Sequence, residues 1–172
     1  MRKLTLLFTV VFMASTAVFA QKKPQASPRD SVSGTIAGAT VKIAYGSPSV
    51  KGRKIGGEIA PYGKIWRTGA NEMTTFETSK ALKIGGKTLP AGKYSLFSVP
   101  GETEWKFIFN SVTGKWGIKM DGSANDDAAK DVLTVTAKAT KSAMMNERMA
   151  FKINPKGFTF LWGNVEVPVA VQ

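Results

Sequence analysis

Residues 82–109 read LKIGGKTLPAGKYSLFSVPGETEWKFIF, and this stretch decides the fold. Leu82 and Ile84 flank Lys83, and Gly85-Gly86 follows at once. A Gly-Gly pair between two β-type runs predicts a type I′ hairpin, because both central residues of that turn need positive φ. Pro90-Ala91-Gly92 opens the next run, YSLFSV at 94–99, and Pro100-Gly101 closes it as a turn. Trp105, Phe107 and Phe109 then fall on one face of a strand with period two.

The same pattern extends in both directions. Val41, Ile43 and Tyr45 alternate with Lys42 and Ala44. Leu133, Val135, Ala137 and Ala139 alternate, as do Met149, Phe151 and Ile153. Asn154-Pro155-Lys156-Gly157 is a turn, Phe158, Phe160 and Trp162 follow at spacing two, and Val165, Val167, Val169 and Val171 close the chain. Many short alternating segments between turn residues predict an all-β fold. The expected architecture is an antiparallel β-sandwich of jelly-roll or immunoglobulin-like type. A closed β-barrel is the alternative, since the two share one sequence signature. Helical pattern is scarce: 123–130 (SANDDAAK) could make two turns at most, and 142–149 clusters Met without an apolar stripe at helical spacing. No internal repeat and no second domain are visible.

The ends are different in kind. Arg2 and Lys3 precede an apolar run at 4–12, small residues follow, and Val18-Phe19-Ala20 fits a small-residue cleavage site. This is the pattern of a secretory signal peptide, with cleavage expected after Ala20. The apolar run falls short of the roughly 20 residues that a membrane span needs, so a transmembrane protein is not expected. Residues 21–31 begin QKKPQASPRD, a polar, proline-bearing stretch that reads as a flexible leader. The domain proper is then 32–172, in an exported protein, periplasmic or extracellular.

Composition excludes several chemistries. The 172-residue chain has no Cys and no His. That removes the Ser-His-Asp and Cys-His catalytic sets, His-ligated metals, zinc ribbons and disulfides. No cofactor motif is present and none is expected. Lys and Arg number 24 against 12 Asp and Glu. Loss of residues 1–20 would leave 22 basic residues and a net charge of +10. Six basic and two acidic residues lie between positions 42 and 72.

That charge overlaps the one segment without strand character. Residues 45–72, YGSPSVKGRKIGGEIAPYGKIWRTGANE, are rich in Gly and Pro and too long for an ordinary hairpin loop. Arg and aromatic side chains together suit an anionic or sugar-bearing ligand, since guanidinium reads carboxylate and phosphate and rings stack. The candidate binding residues are Arg53, Tyr62, Trp66, Arg67, Asn71 and Glu72. Against this, Tyr62 and Trp66 could be core anchors, Arg67 could pair with Glu72 or cap carbonyls, and Asn71 could hold a turn.

The motifs PSVKGRKI, PYGKIWRTGANE, AGKY and the closing Trp162 with Val167-Pro168 carry a resemblance over about residues 27–172. The chain resembles the exported bacterial family known as domain of unknown function 2911. The resemblance implies a secreted β-rich domain and no particular activity. It departs after Trp116-Gly117, where the family often has an aromatic residue and this chain has Ile118-Lys119-Met120.

The leading expectation is a binding module for an anionic glycan or envelope polymer. One alternative is a hydrolase using Glu58 and Glu72 as a carboxylate pair. Another is an assembly protein of the envelope, pairing through its valine-rich last strand. Nucleic acid is a weak reading for an exported chain. Asp121, Asp126, Asp127 and Asp131 cluster around Gly122, but their spacing is not that of an EF-hand, and a solvated loop with a helix cap is the favoured reading.

Overall fold

The Gly85-Gly86 pair makes the turn its sequence demands. In the computed structural model, which describes residues 25–172, the two glycines have φ of 57° and 77° and join β4 (Leu82–Ile84) to β5 (Lys87–Leu89). Around this hairpin lie two layers. β1 (Arg29–Ile36), β2 (Ala39–Gly46), β3 (Thr75–Thr78), β6 (Gly92–Val99), β7 (Glu104–Asn110) and β8 (Asp131–Lys138) form a six-stranded sheet in the order β1-β2-β3-β6-β7-β8. All its neighbours are antiparallel. The second layer is the long hairpin of β9 (Thr140–Asn154) and β10 (Gly157–Ala170), with β4 joined to its end through an Ile84–Val171 bridge. No hydrogen-bonded ladder links β1 to β8, so the sheet is open and the sandwich expectation is met rather than the barrel.

Alternation places the core between the layers. Val41, Ile43 and Tyr45 of β2 and Trp105, Phe107 and Phe109 of β7 are all buried. They meet Phe151, Phe158, Phe160 and Trp162 from the other layer. Tyr45 lies edge-on to Phe151 at 5.1 Å, and Trp105 tilts against Phe160 at 4.8 Å. Rings of this size dominate the burial energy of a core, and pairing geometry adds to it.

Three details depart from simple alternation. In β6, Tyr94 through Ser98 are buried consecutively. Phe97 there, with Ile108 of β7, faces the outer side of the sheet and packs with Met73 and Ala124 in a second, smaller core. The cover on that side is the segment 111–127. In β10, the inward set passes from even positions (Phe158, Phe160, Trp162) to odd ones (Val167, Val169) across Gly163. The pairing register shifts there and Gly163 has φ of 56°, the signature of a bulge. Opposite it, the candidate helix 142–149 is the bulged part of β9. Without an apolar stripe at helical spacing it is extended, pairing with β10 at Asn146 and with the segment 48–50 at Glu147 and Met149.

The other helix candidate shrinks to one 3-10 turn, Ala128–Lys130, capped by the Asp127 carboxylate on the Ala129 N–H at 3.1 Å. At the N-terminus, Arg29, Asp30 and Ser31 belong to β1 rather than to a leader. The expected signal sequence, residues 1–20, and the first four residues of the leader, 21–24, lie outside the described residues. Near the C-terminus Val167, Val169 and Val171 are buried, and β10 is paired with β9 from Gly157 to Glu166.

Candidate functional site

The segment 45–72 leaves β2 and runs first beside β9, where Val50 N–H donates to Glu147 O at 2.8 Å. Arg53 then folds back on its own chain. Its Nε donates to Val50 O at 3.0 Å and its Nη2 to Ser49 O at 2.8 Å. The Glu58 carboxylate accepts from the Lys54 N–H at 3.0 Å and closes the next turn. The Tyr62 ring lies flat against Gly56, where any side chain would overlap it, and stays 41% exposed.

Trp66 extends the six-stranded sheet where β3 has ended. It exchanges two backbone hydrogen bonds with Ser98, at 2.7 and 2.9 Å. Its ring enters the main core and stacks on Trp162 at 5.2 Å with the planes 4° apart. Arg67 donates from Nε to Gly69 O at 3.0 Å and lays its methylenes on Gly117. Burial pulls the Arg67 guanidinium below its ordinary pKa. Asn71 sits at φ of 64°; its Nδ2 donates to Ser27 O and its carbonyl accepts from the Gly117 N–H, both at 2.9 Å. Glu72 is exposed, 3.9 Å from the Arg29 guanidinium.

The six candidate residues therefore do not gather in one cleft. Trp66 lines one cleft, Glu72 a second and Arg53 a third. Tyr62, Arg67 and Asn71 line none of these three. Arg67 and Asn71 act instead on the segment 111–127. Gly117 is pinned by Asn71, Met73 N–H donates to Lys115 O at 3.0 Å, and Asn125 N–H donates to Gly117 O at 3.0 Å. Glu58 and Glu72 are likewise held apart in role, one on a backbone N–H and the other beside Arg29.

The cleft at Trp66 has a volume of about 540 Å³. Two segments wall it: Pro61, Lys64, Ile65 and Trp66 from one, and Lys119, Asp121, Ser123 and Asp126 from the other. The second wall is a tight loop: Lys119 N–H donates to Ser123 O at 2.9 Å, and Asp121 Oδ1 accepts from the Ser123 N–H at 2.9 Å and its hydroxyl at 2.6 Å. Those Ser123 hydrogen bonds, with Lys119 nearby, hold the Asp121 carboxyl below its ordinary pKa. The remaining acidic residues of this stretch are occupied elsewhere. Asp131 accepts from Asn110 Nδ2 at 2.7 Å, and burial raises its pKa. Among the described residues no three His, Cys, Asp or Glu side chains gather to hold a metal.

Lys64, Ile65, Lys119, Asp121 and Asp126 were not in the sequence-based candidate set. Of these, Lys119 lies in the stretch Ile118-Lys119-Met120, where the chain departs from the family pattern. A second cleft, of about 430 Å³, opens on the outer face of the six-stranded sheet between Lys42, Glu77 and Lys93 on one side and Arg29, Glu72 and Lys115 on the other.

A two-layer antiparallel sandwich with a long aromatic-bearing loop docked on its main sheet defines the class: a β-sandwich domain whose clefts are walled by loops. The chain belongs to the family described as protein of unknown function (DUF2911), whose model matches residues 27–171. Neither a curated protein nor a solved structure matches it. Among the described residues no helix is long and apolar enough to cross a membrane.

Proposed function

We propose that the protein is an exported binding module that holds a sugar ring of an envelope glycan in the cleft at Trp66. One observation carries the reading: apolar Pro61, Ile65 and Trp66 and polar Lys64, Lys119, Asp121 and Asp126 line one space of ligand size. A pyranose has an apolar C–H face and a polar hydroxyl rim, and a pocket lined by groups of both kinds matches it. The Trp66 ring cannot swing away, because it is stacked on Trp162. Asp121 and Asp126 accept from hydroxyls, and Lys64 and Lys119 donate to hydroxyl or carboxylate oxygens. The signal-peptide pattern at 1–20 supports export, and intact mass of protein recovered from cells making the full chain should place the new terminus at Gln21.

The test is tryptophan fluorescence and calorimetry with neutral and uronate-bearing oligosaccharides. Saturable binding is expected, and Asp126→Ala should weaken it by about tenfold or more, the usual cost of losing a hydrogen bond to a charged group. Absence of saturable binding to every oligosaccharide, or an unchanged affinity in Asp126→Ala, would sink the reading.

A further inference from the structure

We propose that the outer face of the six-stranded sheet carries a separate site for an oxyanion, a phosphate or carboxylate group, held between Lys42 and Lys115. The site is independent of the sugar cleft and shares no lining residue with it.

The hollow comes from side-chain size. Ala44 and Thr75 face each other across β2 and β3 and are short, so the sheet surface dips between longer neighbours. One step along the strands, Lys42, Glu77 and Lys93 form a row across three strands. On the other side stand Arg29, Glu72 and Lys115. The cleft thus holds four cations and two carboxylates. Glu77 faces Lys93 at 4.0 Å and Glu72 faces Arg29 at 3.9 Å. Both distances exceed the roughly 2.7–2.9 Å of a charge-assisted hydrogen bond, and such exposed pairs are weak. Lys42 and Lys115 make no ion pair among the described residues.

Two features make this more than a solvated face. Arg29 is fixed: its guanidinium donates to Met73 O at 3.3 Å and to Ala44 O at 3.2 Å, so a positive charge is held at the cleft rather than swept through solvent. The Lys115 backbone is fixed as well, since its carbonyl accepts the Met73 N–H at 3.0 Å. With four cations against two carboxylates the net charge of the cleft is positive, and a concave surface with an excess of one sign concentrates the opposite ion. Thr75 and Thr113 line the same space and offer hydroxyl donors that no protein acceptor occupies among the described residues. Two ammonium groups and two hydroxyls around a small floor match the several oxygens of a phosphate or carboxylate.

Amide chemical-shift titration at low ionic strength tests this, with inorganic phosphate in one arm and glucuronate in the other. Saturable shifts are expected at Ala44, Thr75 and Gly114. The double variant Lys42→Gln with Lys115→Gln should weaken binding at least tenfold, while Lys87→Gln, on β5, should leave it unchanged. Saturation in the phosphate arm alone assigns a phosphate group, in the glucuronate arm alone a carboxylate, and either supports the site. Shifts spread over all surface lysines, or equal loss in Lys87→Gln, would overturn it. Asp126→Ala belongs to the other cleft and should not alter phosphate binding, so failure of one reading is distinguishable from failure of the other.

Discussion

Trp66 shows how one residue can serve the fold and a cleft together. Its ring stacks on Trp162 and meets Trp105 and Phe160 edge-on, and the residue stays partly exposed at the cleft. Truncation leaves a cavity that the surrounding rings cannot fill. Trp66→Ala should therefore cost about 3–5 kcal/mol in urea unfolding, whereas Tyr62→Ala, resting on Gly56 at the surface, should cost about 1 kcal/mol or less. Tyr45 is a second case, with a pH signature. Burial first, then Asp30, raises its pKa above the ordinary 10.0. The folded state thus holds the phenolic proton more tightly than the unfolded chain does. That contribution is complete below pH 10 and is lost as pH climbs through the folded value. Melting temperature should fall on this alkaline limb, and Tyr45→Phe should flatten the fall while lowering stability at neutral pH by about 1 kcal/mol, because the hydroxyl donates to Asp30 Oδ2 at 3.3 Å and accepts from the Phe151 N–H at 3.4 Å.

At the scale of elements, strands were legible and their coverage was not. The positions of Val41, Ile43, Trp105, Phe107 and Phe109 announce their face by parity alone. The double burial of Phe97 and Ile108 does not show in the sequence, because it depends on segment 111–127 lying over them, and that segment has few apolar residues of its own. It is held by Asn71, Met73 and Arg67, which are distant in sequence. For the same reason Arg53, Arg67 and Asn71 looked like ligand-binding residues. Their types were readable, but their partners are mainly backbone groups, which any sequence supplies. Asn71 is the keystone of this element. At φ of 64°, Asn71→Ala meets the left-handed penalty and also loses the tie to Ser27. We expect a loss of about 1–3 kcal/mol and faster hydrogen exchange at the Gly117 and Asn125 amides. Unchanged exchange there would show that the segment is held by other ties.

For the whole molecule, the question is how a chain without His or Cys, carrying a net +12, distributes its capacity to bind. The charge-dense loop at 45–72 suggested a single basic surface. In the fold, its arginines turn to backbone carbonyls, while on the sheet face Lys42, Glu77 and Lys93 are aligned by the register of three strands far apart in sequence. Segment 111–127 then walls both clefts, with Lys115 on one side and Lys119 to Asp126 on the other. Two sites on one scaffold have a thermodynamic signature. A ligand that binds only the folded state at a hundred times its Kd adds about 2.7 kcal/mol to stability. Phosphate and an oligosaccharide, each at such excess, should raise stability by the sum of their separate effects, because they touch no common residue. Thermal melts with each ligand and with both will read this directly. A combined effect equal to the larger one alone would mean that the two ligands compete for one site. A combined effect greater than the sum would mean that segment 111–127, ordered by one ligand, prepares the other cleft.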